Sequence, residues 1–149
     1  MPDGPVVAFV LDFHFLSNFH PAPVEMDGMT YPTVEHAFQA AKTEDPALRA
    51  MVRGQPTPGM AKKAGRALTK LRPGWNEMRV DVMRALVRRK FETHPDLAAR
   101  LLATGDRELV EGNTWRDSFW GVYRGLGENW LGRILMEVRA WLRSAGGGA

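Results

Sequence analysis

Residues 24–42 read VEMDGMTYPTVEHAFQAAK, and they decide the fold. Val24 to Tyr31 alternate in polarity around Asp27-Gly28. That pair accepts the positive φ required at both centres of a two-residue hairpin turn. Pro32 stops the second strand. Thr33 then supplies an oxygen to cap a helix, and the spacing predicts one running through Glu35, His36, Phe38 and Gln39 to Lys42.

Working outward, the same rules predict helices over 46–53, 59–70 and 75–93. The last of these carries Met78, Val82, Met83, Leu86, Val87 and Phe91 at nearly helical period. Pro95 opens a further helix through Leu97, Leu101 and Leu102, ended by Gly105. Asn129 to Arg143 read as an amphipathic helix built on Leu131, Ile134, Leu135, Val138, Trp141 and Leu142. Val6 to Leu11 read as a short buried strand, Leu109 to Asn113 as another, and Thr114 to Glu128 as an ordered loop. The expected class is α+β, mostly helical, with a small antiparallel sheet. One domain is expected over residues 1–143, followed by a flexible tail over 144–149.

The chain has 149 residues, 44% hydrophobic and 25% charged, which suits one soluble domain and is too apolar for a disordered chain. The longest uncharged runs fall far short of the roughly 20 residues that span a bilayer. The first residues show no signal-peptide pattern. Cysteine is absent, which removes thiol nucleophiles, disulfides and Cys-ligated zinc. A cytoplasmic location is the expectation. The formal net charge is +3, unevenly spread. Residues 1–45 hold seven acids against one base, and residues 62–100 hold eleven bases against four acids. The basic half suits phosphate, whether of a nucleic acid or of a small nucleotide; it suits a solvated arginine-rich surface equally.

Three places carry candidate chemistry. Glu35, Gln39 and Lys42 recur at i, i+4 and i+7, so they share one helix face. The plainer reading makes Glu35 and Lys42 complements to the helix dipole. His36 points about 100° away, and without an H-E-x-x-H spacing it reads as a buried, hydrogen-bonded structural residue, with no metal expected. The second place is 112–121, GNTWRDSFWG, where aromatic rings crowd a loop. They form either a satellite core or a stacking wall for a planar base, with Asp117 as acid, base or orienting acceptor. The third is Leu16-Ser17-Asn18-Phe19, a turn of small polar groups beside an aromatic. No P-loop, G-x-S-x-G or complete dinucleotide fingerprint is present.

Several strings, in this order, resemble the NADAR superfamily of YbiA-like N-glycosidases: Leu16-Ser17-Asn18-Phe19, residues 31–42 (YPTVEHAFQAAK), residues 117–121 (DSFWG), and residues 127–132 (GENWLG) with Met136. The similarity runs from about Phe13 to Leu142. It implies a YbiA-like single domain that hydrolyses N-glycosidic bonds without metal or cofactor. The substrates it implies are phosphoribosylamino-pyrimidine intermediates of riboflavin synthesis, or ADP-ribosylated guanine in nucleic acid. By position, Glu35, Asp117 and Lys42 match catalytic residues. Ser17, Asn18, Phe19, His36, Gln39, Trp120, Gly121 and Asn129 match the substrate-binding set, and Arg66 matches a basic segment that holds phosphate.

The chemistry assigns tasks to these residues. Cleavage passes through a sugar with oxocarbenium character. Glu35 suits stabilisation of the anomeric carbon or activation of water, and Trp120 suits holding the base. Asp117 protonates the leaving nitrogen only if its pKa is raised well above about 3.9. Lys42 either holds Glu35 ionised or captures a ring-opened sugar as a Schiff base. The neighbouring acids favour the electrostatic role. Removal of ADP-ribose from guanine in nucleic acid is preferred on the basic 62–100 segment. A non-catalytic ADP-ribose-binding module and a general nucleic-acid binder stand as alternatives, and the oligomeric state is open.

Overall fold

The computed structural model describes residues 4–147. The chain divides into two compact units, Asn18–Thr93 and Met1–Ser17 with His94–Ala149.

The first unit opens with the expected hairpin. β1 (Val24–Met26) and β2 (Met29–Tyr31) pair antiparallel, Val24 opposite Tyr31. Asp27 and Gly28 take φ of 50° and 83°, the turn conformation that Asp-Gly tolerates. Thr33 caps α1 (Val34–Ala40), its hydroxyl accepting the His36 N–H. α2 (Pro46–Arg53) and α3 (Pro58–Arg66) each begin on a proline, behind the caps Asp45 and Thr57. α4 (Trp75–Thr93) completes the unit. α1 packs on α2, α3, α4 and β1. All seven of its residues are buried. Ala37, Ala40 and Ala41 keep its surface narrow, and Phe38 meets Trp75 at 5.2 Å between ring centroids.

Two boundaries differ from expectation. α1 stops at Ala40 and leaves Lys42 in the following turn, because the chain must reverse into α2, where Asp45 caps within three residues. α3 ends at Arg66 rather than at residue 70.

The second unit contains a 3-10 helix (Leu11–Leu16), α5 (Pro95–Ala103), β3 (Gly112–Asn113), β4 (Val122–Tyr123) and α6 (Trp130–Gly147). α5 packs on α6, and Leu97, Leu101, Leu131, Ile134, Leu135 and Val138 are buried. The strand expected at Val6–Leu11 does not form. Only Val6 bridges, to Leu109, while Val7, Val10 and Leu11 are exposed. An apolar run becomes a strand only where a partner of matching length exists, and the chain offers one residue pair. The small antiparallel sheet that was expected is the β1–β2 hairpin, and β3 with β4 forms a separate parallel pair. α6 carries on through Ser144 to Gly147, where the end of the ordered chain was expected. Residues 148–149 of the expected tail lie outside the described residues. Among those described, no helix is long and apolar enough to cross a membrane.

Candidate functional site

Glu35 stands in the first turn of α1, with its backbone N–H donating to the Asn18 carbonyl at 3.1 Å. Its side chain is 7% exposed, and Oε2 accepts from the Gln39 amide at 2.6 Å. The i, i+4 spacing thus becomes a buried carboxylate–amide pair. Gln39 is held from its other side by α3. Gly65 faces it so closely that an added Cβ would overlap its amide oxygen.

Lys42 stands in the turn after α1, not on the helix face the spacing suggested. Its carbonyl accepts the Arg72 N–H at 2.8 Å, which anchors the turn. Burial pushes the Lys42 ammonium below its ordinary 10.5, Glu35 pulls it back up, and Arg66, Lys62 and Arg79 push it further down. The sequence reading had the nearby acids raise this lysine. Desolvation outweighs Glu35, because removing an ammonium from water costs more than one neighbouring carboxylate returns.

The same ordering shows that Glu35, Lys42, Lys62, Arg66 and Arg79 form one electrostatic neighbourhood within the Asn18–Thr93 unit. Lys62 and Arg66 lie one turn apart on α3, and Arg79 comes from α4. Arg79 was missed as a site residue. In sequence it is one of eleven bases in a long basic stretch, and only the packing of α1 on α4 singles it out.

His36 is 1% exposed, and both ring nitrogens are engaged. Nδ1 lies 2.8 Å from the Thr33 hydroxyl and Nε2 lies 2.9 Å from the Gln55 carbonyl. The carbonyl requires a proton on Nε2, and Nδ1 pairs with the Thr33 hydroxyl. This network ties the start of α1 to the end of α2. Asn18 is also buried, with its amide 3.4 Å from the Met83 sulfur, and Phe19 is half-buried.

The other expected residues lie in the second unit. Ser17 closes the 3-10 helix. In the loop after β3, Asp117 Oδ1 accepts from the backbone N–H groups of Phe119 (3.1 Å) and Trp120 (2.9 Å). Asn113 Oδ1 accepts the Asp117 N–H at 3.0 Å, and its amide nitrogen bonds the Asp117 carbonyl at 2.8 Å. Asn129, 9% exposed and at φ 54°, accepts from Glu111 N–H (3.0 Å) and donates to the Leu109 carbonyl (2.9 Å). At Gly121 an added Cβ would overlap the Glu111 carbonyl oxygen. The half-buried Trp120 meets Phe119 edge to face at 4.9 Å, and Phe119 stands 6.5 Å from Trp130. Asn113 is a second residue the sequence reading left without a role. Its signal was a lone amide directly before a loop dense in backbone donors.

The structure therefore brings Glu35, Gln39, Lys42 and Arg66 together in one unit and Asp117, Trp120, Gly121 and Asn129 together in the other. Among the described residues, no three His, Asp or Glu side chains are grouped to hold a metal ion.

A NADAR domain family model matches residues 9–143. "N-glycosidase YbiA" of Escherichia coli (strain K12) is 44% identical over 133 residues, covering 88% of this chain and 82% of that protein. "Riboflavin biosynthesis protein VVA0006" of Vibrio vulnificus (strain YJ016) is 42% identical over 87% of this chain, which spans 35% of that longer protein. The NMR structure of the E. coli protein YbiA superposes with a TM-score of 0.85 at 40% identity, covering 98% of this chain and 89% of that one. The chain belongs to the NADAR domain family.

Proposed function

We propose that this NADAR-domain chain is an N-glycosidase that hydrolyses the bond between ribose and a base nitrogen, and that ADP-ribosylated guanine in nucleic acid is its substrate. The single family match over 9–143 supports reading residues 1–143 as one catalytic domain. The name of the E. coli relative supports the reaction class. The observation that carries the proposal is the buried Glu35 carboxylate, fixed by Gln39 at 2.6 Å, beside a lysine whose amine burial makes easier to deprotonate.

In this reading Glu35 faces the anomeric carbon and stabilises the charge that develops as the bond lengthens. Lys62, Arg66 and Arg79 supply the field that attracts the phosphates of the substrate. Trp120 supplies a flat surface for the base and Asp117 orients the loop that carries it, while Ser17, Asn18, Phe19, Gly121 and Asn129 shape the binding segments. His36 positions the start of α1.

The lowered Lys42 supports the covalent option over the electrostatic one. A ribosylated amine opens its sugar ring, with C1 doubly bonded to the base nitrogen. The neutral Lys42 amine adds to C1, its proton passes to the base nitrogen, the C1–N bond to the base breaks and releases the base as its free amine, and a lysine Schiff base remains. Water then adds to C1 and releases the sugar aldehyde and free Lys42. Borohydride added during turnover reduces that intermediate and leaves the sugar on Lys42. A wild-type protein that turns over yet carries no adduct overturns the covalent step.

A second reading follows from the Vibrio relative, whose name places it in riboflavin biosynthesis. There the substrate is a phosphoribosylamino-pyrimidine. One experiment separates the two: the full chain is incubated with an ADP-ribosylated oligonucleotide and, separately, with the pyrimidine intermediate. Release of unmodified oligonucleotide from the first and no base from the second is expected. The reverse pattern replaces the nucleic-acid substrate with the metabolite. ADP-ribose binding without turnover of either makes the chain a binding module.

A further inference from the structure

Arg100 and Arg107 belong to the unit of Met1–Ser17 and His94–Ala149, and both wall a cavity of about 320 Å³. It shares no residue with the chemistry assigned above. Phe13, Phe15, Asp12, Ala103 and Thr104 complete the lining.

Each guanidinium is locked twice. Arg100 lies 4.2 Å over the Phe15 ring and donates from Nη2 to the Asp12 carbonyl at 2.8 Å. Arg107 lies 5.0 Å over the Phe13 ring and donates from Nε to the Gly4 carbonyl at 2.6 Å. A guanidinium has five N–H donors in one plane, and each of these carbonyl bonds spends one. The ring under each plane fixes its direction, so an incoming acceptor meets a pre-set fork and little rotamer freedom is lost on binding.

The charge behind the wall has the same sign. Thr104 is 6% exposed; its hydroxyl donates to the Leu101 carbonyl at 2.6 Å and accepts from Arg139 at 2.8 Å. Arg139 is itself 6% exposed, a buried cation directly behind a lining residue. Two lining arginines thus face one lining carboxylate, Asp12, with Arg139 buried behind Thr104. Asp106, next in the loop, is paired with Arg143 at 3.1 Å. The volume sits at the small end of ligand pockets and fits one small group.

We propose that this cavity is a phosphate-binding site in which Arg100 and Arg107 together hold one phosphate group. A phosphodiester of a single nucleic-acid strand and the phosphate of a free nucleotide present the same oxygens. A purely structural role for the two arginines, pinning the segment before α5 in sequence, leaves no reason for anion binding here.

The test must disturb the cavity without releasing those pins. Ala103 ends α5, is exposed, and lines the cavity, so A103E adds a carboxylate and keeps both carbonyl bonds. R107K keeps the charge but gives up both the fork and the Nε bond to Gly4, so it is the second variant, read once its unfolding midpoint matches the wild type. Binding by the full chain is measured with a short fluorescein-labelled oligothymidylate by anisotropy and with pyrophosphate by calorimetry. A103E and R107K are each expected to weaken the bound anion about 10-fold, with the salt slope for the oligonucleotide falling by about 1 in A103E, which offsets a cation, and unchanged in R107K, which keeps it. Loss on the oligonucleotide identifies a strand as the source, and loss on pyrophosphate alone identifies a free nucleotide. The site is overturned if both variants bind both anions as the wild type does, or if the wild type binds neither. Binding is read without turnover, so failure of the hydrolytic reading leaves this result standing.

Discussion

α1 and the loop after β3 each hold a hydrogen-bonded carboxylate, buried in the first and half-buried in the second, and they use it in opposite ways. In α1 the backbone satisfies itself through helical bonds, so Glu35 meets another side chain, the Gln39 amide at 2.6 Å. In the loop no ladder exists for the backbone, so Asp117 takes the N–H groups of Phe119 and Trp120, while Asn113 and Asn129 take further main-chain partners. Regular structure releases polar side chains for chemistry, whereas irregular structure consumes them to hold shape. The contrast agrees with the proposal that Glu35 is the catalytic carboxylate and that the loop presents its rings.

The sharpest way to break this contrast is E35Q. The variant is expected to lose roughly 10²–10⁴-fold in turnover with its unfolding midpoint close to wild type. Release of base at the wild-type rate removes Glu35 from the chemistry. The loop counterpart is G121A. Its new methyl group meets the Glu111 backbone carbonyl, which has no room to move. A stability loss of about 3 kcal/mol is expected in urea titration. An unchanged midpoint means the loop is not held as described.

G65A crosses the two regimes. Here the methyl group meets the Gln39 side chain; its amide end can swing away, and its Cβ, 2.8 Å off, needs a small shift of α1 against α3. The expected cost is about 1 kcal/mol of stability, accompanied by a larger loss of turnover as Gln39 leaves Glu35. Equal effects of G65A and G121A on stability erase the distinction between a side-chain neighbour and a backbone one.

The smallest effect concerns Lys42, whose pKa lies below 10.5 in the folded chain because of burial first and of Arg66, Lys62 and Arg79 after it. Between that lowered value and 10.5 the unfolded chain binds more protons than the folded one, so wild-type stability rises with pH. K42M removes the titration. It is expected to be the more stable form at neutral pH, with the gap closing as pH approaches 10.5. A gap that widens with pH reverses the sign assigned to this site.

Much of the α1 region was legible in the residues. Asp27-Gly28 fixes its turn, Thr33 its cap, and the i, i+4 pair its buried contact, because each depends on neighbours in sequence. The order of motifs also matched the family, over 9–143. The strand expected at Val6–Leu11 failed for the opposite reason. Apolar residues state a wish to be buried but do not supply a partner, and Val6 alone found one, in Leu109.

The hairpin, the helix starts at Thr33, Asp45 and Thr57, and the family itself were set by the amino-acid sequence alone, since caps, turns and motif strings act over a few residues. Tertiary structure alone decided the balance at Lys42, the recruitment of Arg79, and the commitment of Asp117, Asn113 and Asn129 to the backbone. Desolvation and field strength depend on what the fold stacks above and beside a group, and one-dimensional spacing carries no record of that.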